Sequence, residues 1–286
     1  MTRIAYVNGQ YIPHAEGYIH VEDRGYQFAD GVYEVSGVWK GSIIDEDLHY
    51  QRLRRSLQEL EMSMPMSISC LKIISRELIK RNIISDGILY LQITRGVAPR
   101  EHEFPGKRKQ GIVMTSRAIK WPKEIQNIGE KIISVNDIRW TRRDIKSISL
   151  LPNILAKQMA ANANAYEAWL IDEKGFVTEG SSSNAWIVDQ ENKIITRNLN
   201  ENILGGITRM TILNLANENG LEVIERPFSI EEAKNANEAF LTSTTSFIKG
   251  IGNIDGTTIH NGAVGPITSQ LHKLYIQHCQ NLEKNK

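Results

Sequence analysis

The segment Leu204-Gly205-Gly206-Ile207-Thr208-Arg209 places a glycine pair directly before a helix that the spacing of apolar residues predicts over 207–219. The first turn of a helix has unpaired backbone N–H groups and the positive end of the helix dipole, and both attract an anion. The hydroxyl of Thr208 adds a donor, so the segment suits a phosphate. Taken alone, however, such a segment is more often a turn followed by a capping threonine. The spacings of Walker A and G-x-G-x-x-G are absent from the sequence, which argues against nucleoside triphosphates and dinucleotides.

Two charged residues upstream extend this interpretation. Lys146 lies between Ile145 and Ile148, and in an extended segment it can point inward, where desolvation favours the neutral amine. Glu179 precedes a serine run and can pair with a ring nitrogen. A single lysine or glutamate is most often a solvated surface charge. An inward lysine, an acid and a phosphate cradle together are typical of a pyridoxal phosphate site.

Composition narrows the function classes. The chain has 286 residues, with 34 Lys plus Arg against 33 Asp plus Glu and a net charge of +1. A nucleic-acid partner is not expected, because affinity for a polyanion grows with the excess of cations. With 41% hydrophobic and 23% charged residues, the chain is expected to fold into one large or two medium domains.

The sequence also indicates the cellular environment. The N-terminus reaches Asn8-Gly9 before any long apolar stretch develops, and no run approaches the roughly 20 apolar residues of a membrane span. Cys70 and Cys279 are far apart and are interpreted as reduced core residues, with neither a disulfide framework nor a metal site expected. A cytoplasmic protein that contacts no membrane is therefore expected.

Hydrophobic patterning predicts interspersed strands and helices. Strands are predicted at residues 4–7, 10–12, 32–39, 42–44, 88–94, 112–117, 131–135, 167–171, 221–225 and 239–242. Helices are predicted around residues 48–60, 71–79, 152–165, 207–219, 230–236 and 266–282. The order lacks the strict alternation of a doubly wound sheet, so the predicted fold class is α/β of the α+β type, with mixed sheets and flanking helices. A polar segment with a proline predicts a linker at 120–125, between a smaller domain (1–119) and a larger one (126–286).

Several longer motifs carry a resemblance to a known family. They are Glu22-Asp23-Arg24-Gly25-Tyr26-Gln27-Phe28-Ala29-Asp30-Gly31-Val32-Tyr33-Glu34-Val35, Thr94-Arg95-Gly96, Pro99-Arg100-Glu101-His102, Asp137-Ile138-Arg139-Trp140, Asp144-Ile145-Lys146-Ser147, Thr178-Glu179-Gly180-Ser181-Ser182-Ser183-Asn184, Gly206-Ile207-Thr208-Arg209 and Thr242-Ser243-Thr244-Thr245-Ser246. From end to end, the chain resembles the fold-type IV pyridoxal-phosphate enzymes, and within them the D-amino acid aminotransferases.

The resemblance implies a two-domain fold that binds pyridoxal 5′-phosphate. It implies that Lys146 binds the cofactor covalently and later moves the proton between the substrate Cα and the cofactor C4′. Glu179 would face the pyridine nitrogen and keep it protonated, and Leu204 would pack on the ring. The phosphate-binding positions implied are Arg52, Ile207, Thr208 and Thr244, with Ser243 beside them.

The resemblance also implies a site for the substrate's α-carboxylate. Arg100 and His102, joined by Tyr33, match the residues that hold it in D-amino acid aminotransferases, and His49 is predicted to support them, although a structural helix histidine is an open alternative. In the family this loop reaches the other subunit's active site, which implies a homodimer with shared sites. Glu101 would repel the substrate if its side chain pointed inward.

The implied reaction transfers the amino group of a D-amino acid, such as D-alanine, to 2-oxoglutarate or pyruvate. It would proceed by a ping-pong cycle through pyridoxamine phosphate. A lyase of the aminodeoxychorismate type and a branched-chain aminotransferase are alternatives on the same scaffold, and a non-catalytic cofactor-binding protein is a third. Trp186 is interpreted as a core residue that could also shape the pocket wall.

Overall fold

The computed structural model describes residues 2–282, which form two compact units. Within the described range, the N-terminal unit comprises residues 2–121, 145–149 and 282, and the C-terminal unit comprises 122–144 and 150–281. Residues 145–149 belong to the N-terminal unit, where Ser147 forms a bridge with Val32. The predicted domain boundaries at residues 119 and 126 stay a prediction.

The N-terminal unit is an antiparallel sheet of six strands with helices packed on it, in the order β2-β1-β6-β5-β3-β4. Its elements are β1 (Ile4–Val7), β2 (Gln10–Pro13), α1 (Arg24–Phe28), β3 (Gly31–Trp39), β4 (Ser42–Ile43), α2 (Glu46–Glu59), α3 (Ile68–Arg81), β5 (Gly87–Thr94) and β6 (Gly111–Ala118). Leu53 and Leu57 of α2 and Leu71 and Leu78 of α3 are fully buried in one core with apolar residues of the sheet. Burial of this leucine spacing explains why both helices were predictable.

Two tight turns set the register of this sheet. Asn8 and Gly9 have φ values of 50° and 105°, and Lys40 and Gly41 have values of 45° and 79°. Two consecutive positive φ angles are what a type I′ hairpin requires. Both predicted hairpins, β1–β2 and β3–β4, are confirmed.

The C-terminal unit contains a mixed sheet, nine-stranded over the described residues. Its elements are β7 (Glu130–Asn136), α4 (Leu151–Asn162), β8 (Glu167–Ile171), β9 (Val177–Gly180), β10 (Asn184–Val188), β11 (Ile194–Thr196), α5 (Ile207–Glu218), β12 (Val223–Glu225), α6 (Ile230–Lys234), β13 (Glu238–Ser243), β14 (Phe247–Ile254), β15 (Thr257–Thr258) and α7 (Pro266–Asn281). The order is β12-β11-β10-β13-β14-β7-β8-β9, with β15 on β14. Parallel pairs join β11 to β12, β14 to β7 and β7 to β8, and the other pairs are antiparallel. The predicted fold class, mixed sheets with flanking helices, is confirmed.

Strand β14 and helix α1 are among the elements that the sequence patterns missed. Strand β14 lies inside the sheet, although Gly250 and Gly252 make its sequence look like a turn. A Cβ at Gly250 would lie 2.7 Å from the Val264 side chain, and one at Gly252 would lie 2.5 Å from the Gly262 carbonyl oxygen, so close packing explains both glycines. Helix α1 has only five residues, too few for a periodic apolar pattern.

Two expectations about the chain's environment have structural counterparts. Cys279 is buried, as expected, but Cys70 is exposed on α3, so its interpretation as a core residue was wrong. Across residues 2–282, no helix is both long enough and apolar enough to span a membrane.

Candidate active site

Lys146 lies beside the aromatic ring of Tyr33 within the N-terminal unit. The N–H of Tyr33 donates to the carbonyl of Lys146 (3.0 Å), and the N–H of Lys146 donates to Ser56 Oγ (3.3 Å). These bonds fix the backbone, and they leave Nζ 4.3 Å from the centre of the Tyr33 ring. Over the described residues, no carboxylate lies within ion-pair distance of Lys146. Lys146 is half-buried, and no carboxylate of the described residues forms an ion pair with its amine, which suits a reaction with an aldehyde.

Arg52 and His49, both on α2, share a buried carboxylate on β3. Glu34 accepts hydrogen bonds from Arg52 Nε (2.8 Å) and Nη2 (2.7 Å), and its Oε2 lies 2.8 Å from His49 Nδ1. Burial opposes ionisation of Glu34, but the charge and hydrogen bonds of Arg52 and His49 lower its pKa to about 2. Burial lowers the pKa of His49, and the hydrogen bond and charge of Glu34 oppose this shift. The structure thus brings His49 together with Arg52, the predicted phosphate-binding residue.

Arg100 and His102 lie on an exposed loop between β5 and β6. The ring of Phe28 is 5.0 Å from Arg100 Cζ and 5.5 Å from the centre of the His102 ring. In the described chain, no hydrogen bond or ring contact joins either residue to Tyr33. The predicted grouping of these three residues therefore does not form within one N-terminal unit, and His49 does not contact the loop residues. The Glu101 side chain is exposed.

Glu179 is the centre of a buried polar cluster in the C-terminal unit. It accepts hydrogen bonds from Arg139 Nη1 (2.5 Å), Asn184 Nδ2 (3.0 Å) and the N–H of Leu204 (3.1 Å). Burial raises the pKa of Glu179, while the charge and hydrogen bond of Arg139 pull it back down. Asp137 accepts a hydrogen bond from Nη2 of the same guanidinium (2.8 Å). Burial opposes ionisation of Asp137, but hydrogen bonds from Arg139 and Thr178 lower its pKa.

Asn184 connects this cluster to the start of α5. Its amide donates both to Glu179 and to the carbonyl of Leu204 (3.0 Å). A Cβ on Gly206 would lie 2.0 Å from Asn184 Oδ1, so only glycine fits before the helix. Gly206 provides no side-chain cap, which leaves the first N–H groups of this 12-residue helix without a capping side chain. Ile207 and Thr208 are buried in that first turn.

The Ser/Thr segment of residues 242–246, at the end of β13, lies next to β10, because Thr242 pairs with Asn184 of that strand. Ser243 Oγ accepts a hydrogen bond from the N–H of Ser246 (3.1 Å), and Thr244 is half-buried. Trp186 is fully buried, stacks on Phe240 at 5.4 Å, and donates to Thr242 Oγ1 (2.9 Å). These contacts place Trp186 in the core.

Three residues with central contacts had no predicted role: Glu34, Arg139 and Asn184. All three stand inside the quoted motifs, so their positions were visible in the sequence. The partners in their side-chain hydrogen bonds lie up to 40 residues away along the chain, as for Arg139 and Glu179, and no local pattern reveals such pairs.

Comparisons with known proteins show what the chain as a whole is similar to. Residues 31–254 match the family described as Amino-transferase class IV. The chain is 42% identical to a D-alanine aminotransferase of Bacillus licheniformis, covering 92% of this chain and 93% of that protein. It is 38% identical to a D-alanine aminotransferase of Staphylococcus aureus (strain N315), covering 96% and 98%.

Solved structures share the fold. A branched-chain amino acid aminotransferase of Escherichia coli aligns with a TM-score of 0.89 at 21% identity, covering 97% of this chain and 94% of that one. The PLP form of the branched-chain enzyme of Thermobaculum terrenum aligns with a TM-score of 0.83 at 28% identity, covering 98% and 94%.

Proposed function

Because the chain belongs to the amino-transferase class IV family, we propose that it transfers the amino group of a D-amino acid, such as D-alanine, to 2-oxoglutarate or pyruvate. The observation that carries this proposal is the near full-length similarity, at 36–42% identity, to relatives named D-alanine aminotransferase. The branched-chain aminotransferase structures reach 21–28% identity, so that activity fits less well.

The cofactor of the proposed reaction is pyridoxal 5′-phosphate, and three observations fit it. The amine of Lys146 has no acid partner in the described chain, the first turn of α5 lacks a capping side chain, and Glu179 is held by the Arg139 cation. When bound, this cofactor withdraws electrons from the substrate Cα and carries the amino group between two substrates.

Each assigned residue contributes a defined function. The Lys146 amine would hold the aldehyde carbon and move the proton at the substrate Cα, and Glu179 would keep the pyridine nitrogen protonated. Leu204 would pack on the ring. We assign the phosphate to Arg52, Ile207, Thr208, Ser243 and Thr244, since a guanidinium, a helix start and hydroxyl groups are phosphate ligands.

Arg100, His102 and Tyr33 would bind the α-carboxylate, with Arg100 providing two parallel donors. Because the loop is exposed and does not contact Tyr33 of its own chain, we propose that it serves the site of a second copy in a homodimer. Helix α4 supports a dimer, since it exposes Leu151, Ile154, Leu155 and Met159. We further propose a cytoplasmic location, where an exposed free cysteine such as Cys70 stays reduced.

A half-reaction tests the activity. With D-alanine alone, the absorbance of the enzyme-bound cofactor should change and an equimolar amount of pyruvate should form. L-leucine should cause a much smaller change, whereas a branched-chain aminotransferase would show the reverse. A lyase of the aminodeoxychorismate type would leave the spectrum with D-alanine unchanged. The absence of any change with D-amino acids would refute the proposal.

Variants test the cofactor site and the shared dimer. Borohydride reduction should label Lys146; Lys146→Ala should lose the label and turnover, while Lys174→Ala, at an exposed turn, should keep both. Mixing Lys146→Ala chains with Arg100→Ala chains should restore about a quarter of the wild-type sites if each loop serves its partner. No restoration would mean that the loop serves its own chain.

A further inference from the structure

The loop of residues 97–110, called here the Arg100 loop, has little internal structure. Between Pro99 and Lys109 it is almost entirely exposed, and it contains neither helix nor strand. Its internal backbone hydrogen bonding includes the N–H of Glu101 donating to the carbonyl of Pro99 (2.8 Å). A loop of this kind holds two substrate-binding side chains in place only if other residues fix it.

Arg24, the first residue of α1, fixes the middle of the loop. It is buried, with 3% of its surface exposed. Its Nη1 donates to the carbonyl of Glu101 (2.6 Å) and its Nη2 to the carbonyl of His102 (3.4 Å), while its Nε donates to Asp30 (2.8 Å). One planar cation thus holds the backbone at two consecutive residues directly after Arg100.

Phe28, the last residue of α1, contacts the side chains. Its ring lies 4.7 Å from Arg24 Cζ, 5.0 Å from Arg100 Cζ and 5.5 Å from the centre of the His102 ring. Arginine and aromatic rings attract one another at such distances. The two ends of α1 therefore act on the loop together, one through its backbone and the other through its side chains.

The support of the loop is itself rigid. Asp30 Oδ2 accepts from both Arg24 Nε and Arg95 Nε, each at 2.8 Å. Arg95 lies over the Phe104 ring at 3.7 Å and so holds the loop further along. Asp23 caps the N-terminus of α1, since its carboxylate accepts a hydrogen bond from the N–H of Gly25 (2.8 Å). The same carboxylate accepts one from Thr94 Oγ1 (2.9 Å), which ties the start of the helix to β5.

We propose that Arg24 is a positioning residue for substrate binding: with Phe28, it presets the Arg100 loop for the substrate's α-carboxylate. This inference rests on the proposed function. Arginine is required, because only a forked guanidinium reaches Asp30 and two carbonyls at once, and the single ammonium of a lysine does not. Preset geometry reduces the ordering that binding would otherwise demand, so it acts on affinity.

The test compares Arg24→Lys and Phe28→Leu with the wild type. Arg24→Lys should raise KM for D-alanine about tenfold or more, with kcat at saturation changed less than about threefold. Phe28→Leu should raise KM in the same direction. Hydrogen–deuterium exchange of the Arg100 loop should become faster in both variants while the peptides of α2 and β3 stay unchanged. The matched control is Arg81→Lys, which also loses a guanidinium above an aromatic ring (4.2 Å from Tyr11) but lies on α3.

The outcomes separate this inference from the proposed function. If the wild type does not react with D-amino acids, the proposed function is refuted, and the exchange measurement still decides whether Arg24 holds the loop. If the wild type reacts but Arg24→Lys keeps both its KM and its loop exchange, the positioning role is overturned. An equal loss of kcat with an unchanged KM also overturns it. If Arg24→Lys does not fold, Phe28→Leu gives the same two readouts and decides.

Discussion

At the scale of single residues, Arg139 controls the charge of Glu179. It is the cation bonded to this buried carboxylate and also to Asp137. In Arg139→Met, the charge and hydrogen bond of Arg139 would no longer oppose the rise in the pKa of Glu179 that burial causes, so the acid limb of the pH–activity profile should move to higher pH. Activity at pH 7 should fall by at least about tenfold and recover partly as the pH rises. Steady-state rates across pH measure this.

The same change should destabilise the protein, because the buried carboxylate of Glu179 loses the cation bonded to it, and Asp137 keeps, among the described residues, only the cation of Arg143, at 3.3 Å. We expect the free energy of unfolding to fall by about 3–5 kcal/mol in urea titrations. Arg226→Met is the matched control, since Arg226 pairs with Glu232 (2.5 Å) on a side chain that is 41% exposed. That change should cost about 1 kcal/mol or less. Equal effects of the two substitutions would contradict the role given to Arg139.

Single residues also show where sequence reasoning ends. Lys146 and Glu179 could be singled out because their chemistry narrows the choice: a lysine among aliphatic residues and an acid before a serine run. Glu34 could not, because its importance comes from Arg52 and His49, which lie on another element. A buried ion pair depends on tertiary contacts, and the local sequence around either partner looks like an ordinary charged segment.

At the scale of elements, the start of α5 depends on a glycine that cannot be replaced. A Cβ on Gly206 would lie 2.0 Å from Asn184 Oδ1, whereas one on Gly205 would meet only Leu199, at 3.8 Å. Gly206→Ala should therefore displace Asn184 and the first turn of the helix. We expect cofactor affinity to fall about tenfold or more, with a loss of about 1–3 kcal/mol of stability. Gly205→Ala should leave both cofactor affinity and stability unchanged. Titration with the cofactor, followed by absorbance, measures the affinity. If Gly206→Ala binds the cofactor as tightly as the wild type, the phosphate site is misassigned.

The contact between β3 and α2 should make stability depend on pH. The pKa of Glu34 falls from 4.5 to about 2 in the folded chain, so the unfolded chain binds the proton more tightly. The contribution of ionised Glu34 to the free energy of unfolding is complete above pH 4.5 and is lost as the pH falls toward 2. This contribution amounts to about 3 kcal/mol. The lowered pKa of His49 acts in the same direction, since protonation below its ordinary value favours the unfolded chain.

Urea unfolding of the wild type and Glu34→Gln at several pH values tests this dependence. Glu34→Gln should be less stable at pH 7, because Arg52 loses its buried carboxylate, and the difference should shrink below pH 4.5. Glu77→Gln serves as control, as Glu77 pairs with Arg81 on the surface of α3. A difference that stays constant down to pH 3 would contradict the assignment.

Elements differ in how well the sequence specifies them. The hairpins follow from residues that tolerate positive φ, and α2 and α3 follow from leucine spacing, because both signals are local. Strand β14 was missed, since its glycines are required by Val264 and Gly262, which contact it only after folding. Helix α1 was missed because its five residues are stabilised by Asp23 and Thr94 rather than by an apolar face.

At the scale of the whole molecule, composition indicated a linker near residues 120–125, and the N-terminal unit extends to Trp121. Nothing in the local sequence shows that residues 145–149 belong to that unit. Their place follows from the bridge between Ser147 and Val32, which are 115 residues apart. Lys146, to which we assign the central chemical role, is thus positioned by a strand that is remote in sequence.

The exposed face of α4 predicts how two copies assemble. Leu151, Ile154, Leu155 and Met159 recur at helical spacing and are 49–66% exposed, while Ala156 and Ala160 on the opposite face are buried. Ile154→Glu would place a charge in the proposed dimer contact, where it would lose water without gaining a partner. We expect sedimentation velocity to show a dimer for the wild type and mostly monomer for the variant. Because Arg100 and His102 would serve the partner's site, activity per chain should fall as the fraction of dimer falls.

The control for this prediction is Ile73→Glu, which introduces the same charge at a 67% exposed isoleucine on α3. It should leave both assembly and activity unchanged, since the apolar face of α4 is not involved. The activity of Ile154→Glu should rise again with protein concentration, as mass action restores the dimer. If Ile154→Glu is monomeric but fully active, the loop serves its own chain and the shared site is wrong. If it remains a dimer, the two copies meet through another surface.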